Sequence, residues 1–235
     1  MESSSPEPVG GVRHEPRWHA SAAVLAALAL YITLPPRLTI GPVWMAPVLV
    51  LALLVPLSVF APRRHSETRH VRFWGILLIA IVNFFNIASV ALLINGFFHP
   101  ASITELNSAG IILRHGTQVW LTNVLVFALW YWELDGDGPE ARAHATAAYE
   151  FHNADFLFPQ MQLFFLSGKP LPCVDPTWKP QFFDYLYLSF TNSTAFSPAD
   201  VMPLSRWAKC LMMVEALISL MTIAIVLARS VSLIQ

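Results

Sequence analysis

The feature that most constrains this chain is a series of five apolar segments separated by polar stretches. They cover residues 20–34, 43–60, 73–98, 111–132 and 204–233. The chain is 55% hydrophobic and 12% charged, whereas soluble domains carry about 25% charged residues. Because about 20 apolar residues span the bilayer core, the third and fourth segments are long enough to cross, and the fifth crosses with tilt. The pattern predicts an all-α polytopic membrane protein with about five transmembrane helices and the lipid bilayer as its surroundings.

The first apolar segment is short and allows two interpretations. It fits the apolar part of a cleaved signal peptide preceded by Arg13 and Arg17. It also fits one arm of a helical hairpin, since it runs almost directly into the second segment through LPPRLTIGP. We favour the hairpin. Residues 1–19, rich in Ser, Pro and Gly, then form a flexible tail, and residues 20–132 form a four-helix membrane region.

Residues 133–180 form a long connection between the fourth and fifth segments. Its first part is acidic and then Ala-rich, which predicts a partly helical stretch outside the bilayer. Its second part, FLFPQMQLFFLSGKPLPCVDPTWKP, is aromatic but contains too many prolines to span. We expect it to lie on the membrane interface or to pack over the helices.

A short helix and a polar return precede the last apolar segment. The sequence QFFDYLYLSFTNST predicts a helix too short to cross a bilayer, and Pro198 and Pro203 prevent its continuation. Irregular backbone at membrane depth is tolerated when protein buries it or when it lines a wet cavity. A re-entrant pore loop fits residues 181–235, and so does an interfacial helix followed by an ordinary loop. The residues alone do not separate the two.

The same stretch resembles the pore module of the two-transmembrane potassium-channel family, whose bacterial members often read SF-T-T-x-T-T-V-G-Y-G-D-x-x-P before an inner helix. The matching positions are Ser189, Phe190, Thr191, Thr194, Asp200, Pro203, Arg206 and residues 214–229. The likeness does not extend to the first three segments. It implies a homotetramer around the last helix.

The filter sequence departs from that family. TAFSPAD replaces T-V-G-Y-G-D, so both glycines that permit inward-facing carbonyl groups are absent. We therefore expect an ion-channel-like protein that is not potassium selective. The expected polar contacts at its constriction are Thr191, Asn192, Ser193, Thr194 and Ser197. Asp200 is expected at the mouth, where a carboxylate would favour a permeating cation.

The chain also resembles bacterial multi-pass membrane proteins that carry LTN-x-x-VFALWYWELD and DYLYLSFTN-x-TAFSP, here residues 121–135 and 184–198. This resemblance implies a family of its own, located in the inner or plasma membrane, from which no function carries over.

Several polar residues lie within apolar segments. Glu215 is a candidate functional residue, because an ionisable side chain inside a membrane helix is costly; an ion-path role and a structural hydrogen bond to the short helix are equally compatible. Asn83, Asn86, Asn95 and Asn123 are expected to hydrogen-bond between helices.

Other site types find little support in the sequence. We expect no enzyme, cofactor or metal, since no nucleophile, phosphate-loop or metal motif occurs and Glu150 and Asp155 are poorly spaced for shared ligation. Residues 130–132, Trp-Tyr-Trp, are interpreted as an interfacial aromatic belt. Cys173 and Cys210 are expected to be reduced; a disulfide bond between them is the alternative. A net charge of −1 argues against a nucleic-acid partner.

The arginines at positions 63, 64, 69 and 72 predict a cytoplasmic loop. With five spans this places residues 133–180 on the cytoplasmic side as well, whereas a potassium-channel pore loop enters from outside. The alternatives are a failure of the charge rule, a different span count, or a loop that enters from the cytoplasm.

A non-conducting structural protein and a small-solute transporter are the alternative functions.

Overall fold

The molecule is a bundle of helices with one minimal strand pair. The computed structural model describes residues 17–60, 69–99, 108–144, 154–162, 178–194 and 200–232. Its helices are α1 Trp18–Ile32, α2 Met45–Phe60, α3 Arg69–Phe98, α4 Ala109–Leu134, α5 Pro139–His144, α6 Phe182–Thr194 and α7 Arg206–Ser232. Strands β1 Phe156–Leu157 and β2 Met202–Pro203 pair antiparallel. The all-α prediction is confirmed.

The first two helices form the predicted hairpin. A short 3-10 turn, Pro36–Leu38, joins α1 to the start of α2, and Gly41 adopts φ +70, a value that favours glycine. Leu38 at this turn is fully buried. Helix α1 begins at Trp18, two residues before the predicted start of the first apolar segment at residue 20. Residues 1–16 lie outside the described part of the chain.

Helix α4 is the centre of the bundle, and α1, α3, α6 and α7 all pack against it. It runs antiparallel to α1, since Ala20 and Val24 share a core with the end of α4 while Tyr31 shares one with Ile112. It also runs antiparallel to α7, because Gly116 meets Val226. A Cβ at Gly116 would lie 2.1 Å from a Val226 methyl carbon. The glycine therefore sets how closely α4 and α7 approach.

Helix α7 is buried along one narrow stripe. The buried positions, Ala208, Glu215, Ser219, Thr222 and Val226, recur at helical spacing. Large apolar side chains cover the rest of the helix and are exposed; examples are Met213, Leu217, Leu220 and Leu227. An exposed apolar surface of this size indicates a lipid or protein environment.

Two helical stretches are long and apolar enough to cross a membrane by length and composition, and both were predicted as spans. They are His70–Phe98 and Arg206–Ser232, within α3 and α7. Trp18–Ile32 and Met45–Leu57 are shorter apolar helices. Helix α4 is not among the candidates, although we predicted that it would cross, because Arg114, Gln118 and Asn123 interrupt its apolar sequence.

Candidate functional site

The short helix α6 and the segment after it form a hairpin that enters and leaves at the same end of α4. At the entry, the Tyr185 hydroxyl donates to Asp135, just after α4. Further along α6, Ser189 reaches the carbonyl of Val124, ten residues before the end of α4. At the exit, the Leu204 N–H donates to the Asp155 carbonyl at 2.7 Å. The chain therefore travels part of the way along α4 and returns.

Glu215 of α7 is the point where this hairpin is attached. It is completely buried. Its Oε2 accepts from the Tyr131 hydroxyl at 2.5 Å and from the Asn192 amide at 2.6 Å. Its Oε1 accepts from Ser193 at 3.0 Å and also contacts the Ser189 hydroxyl. We call these five side chains the Glu215 cluster; they join α4, α6 and α7.

The contacts in the Glu215 cluster bear on whether the Glu215 carboxyl group carries a proton. The single Ser189 hydroxyl proton lies within hydrogen-bonding distance of two acceptors, the Val124 carbonyl and Glu215 Oε1. If the hydroxyl donates to the carbonyl, its contact with Glu215 needs a proton on the carboxyl group. A neutral carboxylic acid also suits an apolar interior, where an isolated charge is costly. A Glu215 carboxylate without that proton would instead require the Ser189 hydroxyl to turn from the Val124 carbonyl to Glu215 Oε1.

Asparagine side chains join three long helices beside this cluster. Asn86 of α3 donates to Asn123 of α4 at 3.0 Å, and Asn123 donates to Ser219 of α7 at 3.0 Å. Both asparagines are almost fully buried. The predicted interhelical role is confirmed for Asn86 and Asn123, whereas Asn95 is exposed. Ser219 lies one turn from Glu215, so the two polar groups occupy one continuous stripe of α7.

A second buried carboxylate, Asp135, organises the end of α4 where the hairpin enters. Its oxygen atoms accept from the Tyr185 hydroxyl at 2.5 Å and from the backbone N–H groups of Asp155 at 2.7 Å and Phe156 at 3.2 Å. Burial raises the pKa of the Asp135 carboxyl above its ordinary value, opposed by the Arg142 guanidinium and by these hydrogen bonds. Asp135 therefore connects α4, α6 and the connecting chain at β1.

The structure separates the predicted filter residues into two groups. Asn192 and Ser193 face Glu215 inside the subunit. The hydroxyls of Thr191 and Thr194 donate to carbonyl groups of their own helix. Asp200 is exposed, and its carbonyl accepts from Gln162 at 3.4 Å. Ser197 lies outside the described residues.

Sequence reasoning missed part of this arrangement. Tyr131 and Trp132 are buried in the core, so the interpretation of these two side chains as an interfacial belt is wrong. The Tyr131 hydroxyl donates to Glu215 instead. No role was predicted for Asp135 from the sequence. The available sequence signal for Asp135 was its position directly after an apolar helix and before a glycine.

The metal and cysteine predictions fall partly outside the described chain. No group of three or more His, Cys, Asp or Glu side chains is arranged to hold a metal ion among the residues that the structure describes. Glu150 lies outside them. Cys210 is an exposed free thiol, and Cys173 again lies outside.

No protein-family model, curated protein or solved structure matches this chain.

Proposed function

We propose that the chain is a polytopic membrane protein with five spans whose α6–α7 hairpin lines an ion path in a homotetramer. The observation that carries the proposal is the course of the chain along α4. The 13-residue helix α6 starts beside Asp135 and reaches the level of Val124. The chain after it is back beside Asp155 at Leu204. At 1.5 Å per residue a 13-residue helix is about 20 Å long, short of a bilayer core of about 30 Å. A buried attachment at Glu215 holds its far end.

The exposed apolar surface of α7 supports an assembly in a bilayer. Buried residues make up 22% of its most apolar window, so most of that window needs lipid or another copy against it. The likeness of residues 189–229 to potassium-channel pore modules motivates the fourfold arrangement.

The hydrogen bonds narrow the residues assigned to the path. Asn192 and Ser193 already bind Glu215 within one subunit. We therefore assign the path to Thr194, Ser197 and Asp200, which follow the attached part of α6. The absence of a T-V-G-Y-G sequence argues against potassium selectivity, and the Asp200 carboxylate favours cations.

The entry side of the hairpin follows from its neighbours. Arg72, at the start of α3, has its Nη1 atom 3.6 Å from Asp137, just after α4. The start of α3 and the hairpin entrance thus lie at the same end of the bundle. The positive-inside rule then assigns that end to the cytoplasm, with a loop that enters from the cytoplasmic side.

A non-conducting structural protein is the second candidate. The completeness of the Glu215 cluster favours it, because every donor that reaches the carboxyl group belongs to the same chain. In this role the hairpin is a packing element that stabilises α4 and α7.

Cation flux in liposomes of the purified protein separates the two candidates. We expect cation flux from the wild type, and Asp200→Asn should reduce the preference for cations over anions. Thr194→Val should change conductance, whereas Thr117→Val should not: Thr117 also donates to the carbonyl four residues before it, but it lies near the start of α4. Absence of flux from a folded, oligomeric wild type would support the structural role.

A further inference from the structure

Arg142 of α5 is a buried cation with unused hydrogen-bond donors. The residue is 2% exposed. Its Nη1 donates to the Asp135 carbonyl at 2.5 Å. Among the described residues, its Nε and Nη2 are buried and have no hydrogen-bond partner. Buried polar groups in native proteins nearly always have a partner, and an unmet charged donor is especially costly. An additional acceptor would therefore satisfy two donors of this guanidinium.

The orientation of the guanidinium is fixed by its neighbours. It lies over the Tyr185 ring, 5.0 Å from the ring centre, and the Tyr185 hydroxyl is itself held by Asp135. The two unused nitrogens, Nε and Nη2, form the side edge of the guanidinium. That edge donates two parallel hydrogen bonds to two oxygen atoms of a carboxylate or phosphate. An acceptor that satisfies both Nε and Nη2 is thus a group with paired oxygen atoms.

A second cation contacts the residue that follows Arg142. Lys179 Nζ donates to the carbonyl of Ala143, the residue after Arg142, at 2.8 Å. The Asp135 carboxylate, whose charge interacts with that of Arg142, already accepts from Tyr185, Asp155 and Phe156. Its oxygen atoms therefore do not satisfy the Nε and Nη2 donors.

We infer that the Nε and Nη2 edge of Arg142, assisted by Lys179, binds a phosphate-type oxyanion. The phosphate of an anionic lipid headgroup and free inorganic phosphate share this chemistry. The site lies beyond the end of α4, at the bundle end that also carries Arg72, where headgroup phosphates lie if α3 and α7 cross the bilayer. This inference concerns a different part of the molecule from the proposed ion path.

The test measures thermal unfolding of the full chain by tryptophan fluorescence. One arm compares inorganic phosphate with chloride at equal ionic strength in detergent. The other compares nanodiscs of phosphatidylglycerol with nanodiscs of phosphatidylcholine. We expect phosphate or phosphatidylglycerol to raise the midpoint of the wild type. Arg142→Gln should weaken the apparent affinity roughly ten- to hundredfold, and Lys179→Gln by less.

Arg114→Gln is the matched control, because it removes the same charge from an exposed position near the opposite end of α4. It should leave the response unchanged. A response in the detergent arm alone identifies a free anion, and one in the nanodisc arm alone identifies a lipid headgroup. No stabilisation of the wild type in either arm, or equal stabilisation of Arg142→Gln, would overturn the inference. If Arg142→Gln does not fold, Arg142→Lys keeps the charge, loses the two-point edge, and should lose the response.

Discussion

Helices α4 and α7 run antiparallel and have nearly equal lengths, 26 and 27 residues, but they use their surfaces differently. In α4, 13 residues are buried, spread around the helix, and they include Asn123, Tyr131 and Glu133. In α7, five residues are buried, all on one stripe. The comparison teaches that α7 packs extensively against α4 but buries few side chains, among them Val226 against Gly116 and the polar groups Glu215 and Ser219.

The largest effect is expected from removing the Glu215 carboxyl group. Glu215→Leu leaves the buried hydroxyl donors of Tyr131 and Ser193 without their acceptor, and we expect a loss of about 3–5 kcal/mol in unfolding free energy. Glu215→Gln keeps one donor and one acceptor group and should retain most of the stability. The unfolding free energy of both variants is measured in mixed micelles.

The exposed neighbour Leu217 provides the control for this experiment. Leu217 lies on the apolar surface of α7. The unfolding free energy of Leu217→Val should therefore stay close to that of the wild type. Equal stability of Glu215→Leu and Leu217→Val would show that the Glu215 cluster does not hold α7.

The close approach at Gly116 is expected to give the second largest effect. A Cβ there would lie 2.1 Å from Val226, so Gly116→Ala should lower the unfolding free energy by about 1–3 kcal/mol. Val226→Ala in the same chain should restore part of the loss. Gly110→Ala is the control, because its nearest neighbour would be the Ser108 hydroxyl at 3.9 Å. A destabilisation that Val226→Ala leaves unchanged would contradict the packing described.

Asn123→Leu tests the polar link between the two helices. It removes the bonds to Asn86 and Ser219, and interhelical hydrogen bonds in membranes average about 0.6 kcal/mol each. We expect a loss of about 1 kcal/mol in the same unfolding assay. Asn95→Leu, at an exposed position of α3, should be nearly neutral. An equal loss in both variants would indicate a general effect of polarity on α3 and α4.

The smallest effect concerns pH. The folded pKa of Asp135 is raised by burial, so the folded state holds a proton that the unfolded state has released between the two pKa values. Its contribution is present below the unfolded pKa and is lost as pH rises through the folded pKa. Wild-type stability relative to Asp135→Asn should therefore fall as pH increases. A pH slope of Asp135→Asn identical to that of the wild type would contradict the assignment.

The helical class, the hairpin turn and the break before α7 could be predicted from sequence, because each depends on neighbouring residues. Prolines at 198 and 203 interrupt any helix through them, and the observed helices stop at Thr194 and resume at Arg206. Hydrogen bonding by asparagines between the third and fourth apolar segments could be expected because amides are rare in apolar helices, but the specific pair of Asn86 and Asn123 was found only in the structure.

The contacts that define the site could not be predicted in the same way. Tyr131 meets Glu215 across 84 residues, and Tyr185 meets Asp135 across 50. No periodicity in sequence specifies which hydroxyl reaches which carboxyl group, since that depends on how far α6 travels along α4. The open edge of Arg142 is a property of three-dimensional packing for the same reason.

The measurement that tests the central proposal most directly is the subunit count of the purified complex by native mass spectrometry. A path lined by α6 and α7 predicts four copies, with the exposed surface of α7 turned toward the other subunits. A stable monomer would leave no shared axis for Thr194 and Asp200, and would contradict the ion path.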